Sequence, residues 1–453
     1  MIDRPNKTVL CHGCFDLLHL GHIQHLQQAA EMGSTLTVSV TADEFVNKGV
    51  GRPHFTAEQR AEALRSLSCV DSVVINRSPN AVPVIKTLRP DIYCKGIDYS
   101  GDPSPGLMEE IDAVGHIGGK VCFTNTRKMS SSRLINEDKF SRETMQYLDR
   151  LKDSGALEAI LRAFDDADKK TILFVGESIR DVYLYVQGLG RASKELMLAT
   201  VVTGQESFDG GVIAASRQGE WKHSALLTSS EYMVKTRYVD ADFHRKIFDV
   251  YGQRSLVLDE NEREDFRAKL TDAVMHHDVV ITLDFGHGLL GPLERFIISE
   301  HSPWLAVNSQ TNAGNYGFNP VTKYMKPHYV CIDEPEVRLA MQDQVGNLQK
   351  VVQNLQTSQR CFRYLITRGR NGSAWLRSGV YGEAPALSYG GVDTMGAGDA
   401  VMAVTAPLAS TGLDMELVAF VGNIVGALKI GTVGHRTHVK RNEIIRTVEA
   451  LLA

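Results

Sequence analysis

Short apolar runs alternate with segments of helical periodicity through the first 135 residues of the chain. A helix is predicted to begin near Gly21. A second is predicted over 56–67, where Thr56 is the N-cap and Gln59 completes a capping box. The apolar runs indicate strands at 8–10, 36–40, 70–75 and 92–94. Strand–helix alternation of this kind predicts a parallel sheet.

The pattern changes between residues 142 and 170, where apolar residues recur at helical spacing on both sides of Ser154 and Gly155. A charged stretch follows, and strand–turn–helix alternation then resumes to the end. We therefore predict an α/β chain made of an N-terminal Rossmann-like domain at 1–140, a helical linker at 141–168 and a second α/β domain at 169–453.

Composition limits the classes of function. The chain has 453 residues, 43% hydrophobic and 23% charged, which is ordinary for a soluble protein but too long for one core. A net charge of −5 argues against a general nucleic-acid binder. The first five residues have no apolar core, so we do not expect them to be a signal peptide. The apolar run at 417–430 is interrupted by polar residues and glycines, which is typical of a buried helix and not of a membrane span. The seven cysteines are scattered along the chain, which suits a reducing compartment. We expect a cytoplasmic homo-oligomer with no membrane or nucleic-acid partner.

The segment at 13–22 follows the first strand and suits phosphate chemistry. A helix N-terminus offers unpaired amide donors and partial positive charge, and Gly21 allows close approach of a phosphate. His19 and His22 are three residues apart, so both can donate to one phosphate group.

This segment resembles the GxFDxxHxGH signature of the nucleotidyltransferase superfamily that includes cytidylyltransferases. Further motifs follow in the same order: a basic loop at 48–53, an arginine-bearing helix start at 58–60, a K-G-x-D loop at 95–98 and a hydroxyl cluster at 129–132. The set is most similar to the heptose-1-phosphate nucleotidyltransferase group.

The resemblance implies that a sugar phosphate attacks the α-phosphorus of CTP or ATP and expels pyrophosphate. It assigns His19 and His22 to binding of the α-phosphate. Lys48 would neutralise the leaving pyrophosphate, and Arg60 would assist Lys48 in this role. The remaining nucleotide-binding residues would be Gly13, Phe15, Asp16, Gly21, Lys95, Gly96, Asp98, Ser130, Ser131 and Ser132.

Two other interpretations of the histidines exist. Cys11, Cys14, His19 and His22 are zinc-ligand types, but only four residues separate Cys14 from His19, which is shorter than usual finger spacings. The histidines could also be solvated residues at a helix start. Neither alternative explains the other four motifs.

A second phosphate site is indicated at 393–399, before a long apolar helix pattern. Gly396, Ala397 and Gly398 leave bare amides at a helix start, which form an anion hole for a transferring phosphoryl group. Asp399 follows and can accept the proton of the attacking hydroxyl. A plain glycine-rich turn is the alternative.

The segment resembles the D-T-x-G-A-G-D signature of the ribokinase family. That resemblance places ATP beside Thr367, Gly369, Gly372 and Asn423, with Mg²⁺ linked indirectly to Glu336. It places the sugar beside Asp181, Gly210, Gly211, Lys194 and Arg237, although Arg237 could equally be a surface charge.

Three motifs depart from the pattern of heptose kinases. Asp333 stands where N-x-x-E has asparagine, His287 replaces the lysine of D-Y-G-K-G, and 308–312 replaces the usual D-P-K. Four cations could compensate by holding a phosphate of the acceptor: Arg191, Lys194, Lys235 and Arg237.

The whole chain resembles the bifunctional heptose-phosphate kinase/nucleotidyltransferases, with the order of the two domains reversed. The resemblance implies a kinase and a nucleotidyltransferase of sugar-nucleotide synthesis that use Mg²⁺, ATP and a second NTP. In the alternative, only the nucleotidyltransferase is active and the kinase-like half is a degenerate regulatory module.

Overall fold

The computed structural model describes residues 6–46, 53–96, 105–124, 140–191, 198–243, 245–387 and 393–452. The chain divides into two compact units, Met1–Met145 and Gln146–Ala453. Lys48, Asp98, Ser130, Ser131, Ser132 and Lys194 lie outside the described residues, as does the side chain of Arg191.

The first unit contains one parallel five-stranded sheet with the order β3-β2-β1-β4-β5. Its strands are β1 (Thr8–Gly13), β2 (Thr35–Thr41), β3 (Ser72–Asn76), β4 (Ile92–Gly96) and β5 (Lys120–Thr124). Its helices are α1 (Leu20–Glu31), α2 (Ala57–Arg65), α3 (Val82–Leu88) and α4 (Pro105–His116). The predicted Rossmann-like parallel sheet is confirmed.

Strand β1 is central, and the strand order reverses beside it, because β2 and β3 lie on one side and β4 and β5 on the other. Apolar clusters bury both faces of the sheet, one around Val9 and Leu26 and the other around Leu10 and Tyr93. In open α/β sheets, ligands bind at the carboxyl ends of the strands where the order reverses. This location is where β1 leads into the motif at 13–22.

Two helices stand where the sequence predicts a linker: α5 (Arg142–Asp153) and α6 (Ala156–Ala167), separated at Ser154 and Gly155. Helix α6 and the part of α5 from Gln146 onward belong to the second unit. The Phe164 ring stacks on Trp221 at 5.8 Å, and Arg150 forms an ion pair with Glu416. These helices are therefore part of the core of the second unit.

An eight-stranded sheet forms the centre of the second unit, with the order β17-β16-β15-β14-β13-β12-β6-β9. Its strands are β6 (Ile172–Gly176), β9 (Ser224–Leu227), β12 (Val279–Asp284), β13 (Leu305–Ser309), β14 (Tyr329–Asp333), β15 (Arg363–Thr367), β16 (Ser373–Arg377) and β17 (Val380–Ala384). Neighbouring strands pair in parallel except β15 with β16 and β16 with β17, which pair antiparallel. Strands β6, β12 and β13 are buried throughout, as expected when both faces of a sheet are covered.

Besides α5 and α6, the described part of the second unit has seven helices that flank this sheet: α7 (Val212–Ser216), α8 (Glu260–Met275), α9 (Pro292–His301), α10 (Glu334–Met341), α11 (Leu348–Gln359), α12 (Ala397–Ser410) and α14 (Arg441–Leu452). An eighth, α13 (Met415–Lys429), contains most of the interrupted apolar run and is largely buried, as predicted. No helix in the described part of the chain is long and apolar enough to cross a membrane.

A separate four-stranded sheet has the order β11-β10-β7-β8. Its strands are β7 (Ser178–Arg191), β8 (Leu198–Gly211), β10 (Met233–Asp240) and β11 (Lys246–Tyr251). The chain passes from β6 of the main sheet to β7 through the single residue Glu177. The start of β7 therefore lies beside the carboxyl ends of the main sheet.

Candidate active sites

The first candidate site begins with a tight turn after β1. Phe15 has a left-handed backbone with φ of 50°, and its buried ring meets the His22 ring edge-on at 5.3 Å. A left-handed backbone is costly for a bulky residue, so the surrounding structure must hold it in place. Gly13 lies against the same ring, since a Cβ there would be 3.1 Å from it.

The two predicted phosphate-binding histidines are adjacent at the start of α1. His19 is the N-cap, and its Nδ1 accepts a hydrogen bond from the backbone N–H of His22 at 3.4 Å. Their rings stack with centroids 3.8 Å apart. Two imidazoles thus lie together at the positive end of a helix dipole, a geometry suited to one phosphate group.

Asp16 and Arg60 hold the surrounding loops. Asp16 is buried, and its carboxylate accepts hydrogen bonds from the backbone N–H groups of His54 at 2.7 Å and Phe55 at 3.0 Å. Buried Arg60 donates to the carbonyls of Cys14, Thr41 and Phe55 and forms an ion pair with Asp43. With these partners, both residues position the loops. Their direct contact with a nucleotide stays a prediction.

Lys95 and Gly96 end β4. The Lys95 ammonium is nearly buried and lies 3.1 Å from a carboxylate oxygen of Glu110 and 3.5 Å from the carbonyl of His12. A Cβ on Gly96 would meet nothing within 4 Å, so the space beside it is open. This edge of the sheet therefore combines a cation with room for a ligand.

Two further histidines, absent from our sequence analysis, lie near Lys95. His12 is 3.0 Å from the Ser39 hydroxyl, and His25 is 2.6 Å from the Thr124 hydroxyl. Burial, reinforced by the charge of Lys95, lowers the pKa of each histidine to about 4. Both are therefore neutral at neutral pH. His25 follows His22 by one helical turn, and this spacing could have indicated from the sequence that His25 lies on the same face of α1.

The second candidate site is a cavity of about 330 Å³ in the second unit, which adjoins a larger groove of about 1430 Å³. Asp333, Thr367, Thr394 and Gly398 line both. Six of the seven predicted nucleotide residues of this domain line the groove, whereas Gly396 lines the cavity; the six are Thr367, Gly369, Gly372, Ala397, Gly398 and Asn423. The predicted acceptor residues Asp181, Gly211 and Arg237 line the cavity together with Asp399.

The rim of the groove is shaped by Asn423 and Gly372. The Asn423 amide donates to the carbonyls of Ala384 at 3.1 Å and Pro385 at 2.9 Å. Gly372 has φ of 74°, and a Cβ there would lie 2.2 Å from the Ala384 carbonyl oxygen. Asn423 therefore anchors the turn that bounds the groove.

Helix α12 begins at the boundary between groove and cavity. Gly396 precedes it with φ of 70°, a conformation that favours glycine, and a Cβ on Gly398 would meet nothing within 4 Å. The first amides of α12 have no partner within the helix, and space lies beside them. The anion hole at this helix start stays a prediction.

Asp399 stands on the first turn of α12 and is 7% exposed. The Gln310 amide donates to its Oδ1 at 2.5 Å. Burial raises the pKa of Asp399 to about 6, although the charge of His435 acts in the opposite direction. A carboxylate with such a pKa is matched to a general base near neutral pH. Gln310 belongs to the segment 308–312, which replaces the D-P-K motif of related kinases. The replacement therefore places a hydrogen-bond donor on Asp399, the predicted base.

Asp333 and Glu336 form a capping box at the start of α10. Asp333 accepts from the Glu336 N–H at 2.8 Å, so aspartate performs the capping role as asparagine would. The Glu336 carboxylate accepts from the backbone N–H groups of Thr311 and Asp333, both at 3.0 Å. Burial and the nearby Asp333 raise the pKa of Glu336.

Arg237 is 3% exposed, so the surface-charge alternative is wrong. Its guanidinium bridges Asp181 and Asp249, each at 2.8 Å. Burial would raise the pKa of Asp181, but His435 and Arg237 outweigh it and hold the pKa below its usual value. The charge of Arg237 is thus largely balanced within the protein.

The glycine pair at 210–211 makes room for neighbouring groups. A Cβ on Gly210 would lie 2.5 Å from the Asp181 carboxylate, and one on Gly211, where φ is 61°, would lie 2.4 Å from the Glu177 carbonyl. Their predicted approach to the sugar stays a prediction.

His287 lines the cavity beside Lys235. Its backbone N–H donates to the Glu177 carboxylate at 3.1 Å. Burial, followed by the charge of Lys235, lowers its pKa to about 4, so it is neutral where the related motif has lysine.

Comparison with known proteins finds a separate family match in each of the two compact units. Residues 10–137 match the cytidylyltransferase-like family, and residues 320–441 match the pfkB family of carbohydrate kinases. The chain joins a cytidylyltransferase-like domain to a pfkB carbohydrate kinase domain. The predicted fold class and both predicted resemblances are confirmed.

Curated relatives include the bifunctional protein HldE of Campylobacter fetus, 38% identical over 143 residues, and that of Syntrophotalea carbinolica, 40% identical over 121 residues. These matches cover 30% and 26% of this chain, and 29% and 24% of the relatives. The chain thus matches less than a third of their length. Its domain order is reversed relative to theirs, as predicted.

Among solved structures, phosphofructokinase-2 from Escherichia coli in complex with potassium is 12% identical with a TM-score of 0.49, covering 62% of this chain and 99% of that one. Ribokinase from Arabidopsis thaliana, complexed with ribose and ATP, is 13% identical with a TM-score of 0.44, covering 62% and 98%.

Proposed function

We propose that this chain is a bifunctional enzyme of sugar-nucleotide synthesis. The kinase domain would transfer a phosphoryl group from ATP to a sugar or sugar phosphate. The cytidylyltransferase-like domain would transfer CMP or AMP from CTP or ATP to a sugar phosphate and release pyrophosphate. The observation that carries the proposal is Asp399, a buried carboxylate that lines the cavity from the first turn of α12, next to Gly398, which lines both cavity and groove.

In the kinase step, the acceptor hydroxyl oxygen bonds to the γ-phosphorus of ATP while the bond to the β–γ bridging oxygen breaks. Asp399 takes the hydroxyl proton and ADP leaves. The amides at the start of α12 stabilise charge on the transferring oxygens. Asp181 lines the same cavity and would orient acceptor hydroxyls.

In the nucleotidyl step, a sugar phosphate oxygen attacks the α-phosphorus and the bond to pyrophosphate breaks. No proton-transfer residue is required, because the attacking oxygen is already anionic. His19 and His22 would hold the α-phosphate oxygens and position them for in-line attack. Lys48 would neutralise the departing pyrophosphate.

Both steps are proposed to use Mg²⁺. Among the described residues, no group of three or more His, Cys, Asp or Glu is placed to hold a metal ion. That finding covers Cys11, Cys14, His19 and His22 and gives no support to a zinc site there. Mg²⁺ commonly keeps several waters and is held through substrate phosphates, which fits the indirect role proposed for Glu336.

We propose a phosphorylated acceptor for the kinase. Lys235 supports this, since its ammonium lines the cavity and lies 3.4 Å from Asp249 and 4.7 Å from the Tyr251 ring centroid. Arg237 would contribute less, because two carboxylates already balance it. Lys194 and Arg191 would supply further charge.

The decisive experiment is mass spectrometry of products from a panel of sugars and sugar phosphates incubated with ATP, CTP and Mg²⁺. The proposal expects a phosphorylated product with ATP and a nucleotidylated product with ATP or CTP. Absence of both products across heptose, hexose and polyol phosphates would refute it.

We also propose that the chain forms a homo-oligomer. The four-stranded sheet exposes large apolar side chains, among them Leu198 (64%), Val202 (54%) and Phe248 (49%). A second copy could cover such a patch. Light scattering should then give a multiple of 50.0 kDa. A monomer at micromolar concentration would contradict the proposal.

A further inference from the structure

His435 lies in the loop between α13 and α14 and belongs to none of the motifs described above. Its side chain is 8% exposed, and it lines the cavity that contains Asp399. A buried histidine beside the reacting groups requires an explanation.

The His435 ring connects the acceptor side of the cavity to the anion hole. Its Nε2 lies 3.5 Å from the Asp181 carboxylate. Its opposite contact is Gly396, where a Cβ would lie 2.5 Å from Cε1 and 3.2 Å from Nδ1 of the ring. The imidazole is thus adjacent to the residue that precedes α12.

The loop is anchored so that this position is fixed. The Lys429 side chain is fully buried and donates to the carbonyls of Gly434 and Thr437, both at 2.9 Å. The Gly434 N–H donates to the Asp393 carboxylate at 3.0 Å. These bonds hold the backbone on both sides of His435.

The Nδ1 atom of His435 is buried and has no hydrogen-bond partner among the described residues. Buried polar atoms are nearly always paired, so an unpaired nitrogen beside the start of α12 points to a ligand-binding role for His435. Among the other cations that line the cavity, Arg237 pairs with Asp181 and Asp249, and Lys235 is the residue proposed above to hold the acceptor phosphate.

We propose that His435, as an imidazolium held by Asp181, donates a hydrogen bond from Nδ1 to the γ-phosphoryl group of ATP. His435 keeps its proton throughout the reaction, because Asp399 accepts the proton of the acceptor hydroxyl. The contact strengthens as charge develops on the transferring oxygens. This inference rests on the proposed kinase function and adds a catalytic residue to it.

The test compares His435→Ala and His435→Gln with His438→Ala in the full chain. His438 lies in the same loop but pairs with Glu220 at 3.2 Å, so it serves as a matched control. Calorimetry would measure the Kd of ADP and of the non-hydrolysable ATP analogue AMP-PNP, each with Mg²⁺. Phosphorylation assays would measure kcat, and thermal melting would verify folding.

We expect His435→Ala to weaken AMP-PNP binding about 10-fold with ADP binding unchanged, and to lower kcat about 10²-fold or more. His435→Gln, which keeps a donor but not the charge, should fall between, and His438→Ala should match the wild type. Equal effects on ADP and AMP-PNP, or none on either, would overturn the inference. A wild-type protein that binds neither nucleotide would refute the proposed kinase function itself.

Discussion

Asp399 combines two properties that a hydroxyl-activating base needs, burial beside the anion hole and a pKa of about 6. Because only the carboxylate accepts a proton, phosphorylation should rise with pH through about 6 and level off above it. Removing the Gln310 hydrogen bond, which stabilises the charged form, should move this limb to higher pH. A pH profile of kcat/KM for wild type and Gln310→Met measures both. An identical limb in the variant would contradict this account of the base.

Binding of the acceptor phosphate also depends on individual cationic residues. Arg237→Ala would remove the shortest ion pair of two carboxylates, Asp181 and Asp249, and removing one partner of a buried pair costs about 3–5 kcal/mol. Lys235→Ala is the cleaner probe, since its side chain is 16% exposed and its one ion pair is long. It should raise the acceptor KM several-fold and leave the KM for ATP unchanged.

Steady-state kinetics with varied acceptor and varied ATP would measure this split. Lys222→Ala provides a control for loss of an exposed lysine, since Lys222 is 69% exposed and pairs with Asp168. Equal kinetics with an unphosphorylated sugar, together with no effect of Lys235→Ala, would indicate a neutral acceptor.

At the scale of elements, the start of α1 carries the proposed nucleotidyl site. His19→Ala or His22→Ala should lower nucleotidyl transfer by about 10²–10⁴-fold, the scale expected for loss of a charge-stabilising donor. Pyrophosphate release is the assay. His116→Ala, an exposed histidine at the end of α4 in the same unit, is the matched control. Full activity in either test variant would remove that histidine from the site.

The sequence predicted helix ends correctly where a short local pattern determines them. The capping box of Thr56 and Gln59 is present, and the break at Ser154 and Gly155 separates two helices. The four-stranded sheet was not predicted, because much of its apolar surface is exposed and its strands lack a buried-face period. Contacts such as Asp181 with His435, and Gln310 with Asp399, join distant segments that carry no local signal.

At the scale of the whole molecule, the two proposed sites lie in separate compact units and share no described residue. The family matches fall on either side of α5 and α6, which lie mostly in the second unit. The domain bounds 1–140 and 169–453 stay a prediction, and the sequence could not show which compact unit the helices between them join. The apolar faces of these two helices predict that they are buried, but they do not determine which unit the helices pack against.

The central claim is that one chain contains two independent active sites. The most direct measurement compares Asp399→Asn and His22→Ala in both assays, with folding verified by thermal melting. We expect Asp399→Asn to abolish sugar phosphorylation and spare nucleotidyl transfer to a supplied sugar 1-phosphate, and His22→Ala to do the reverse. A mixture of the two variants should restore both activities. Loss of both activities in either folded variant would contradict the account.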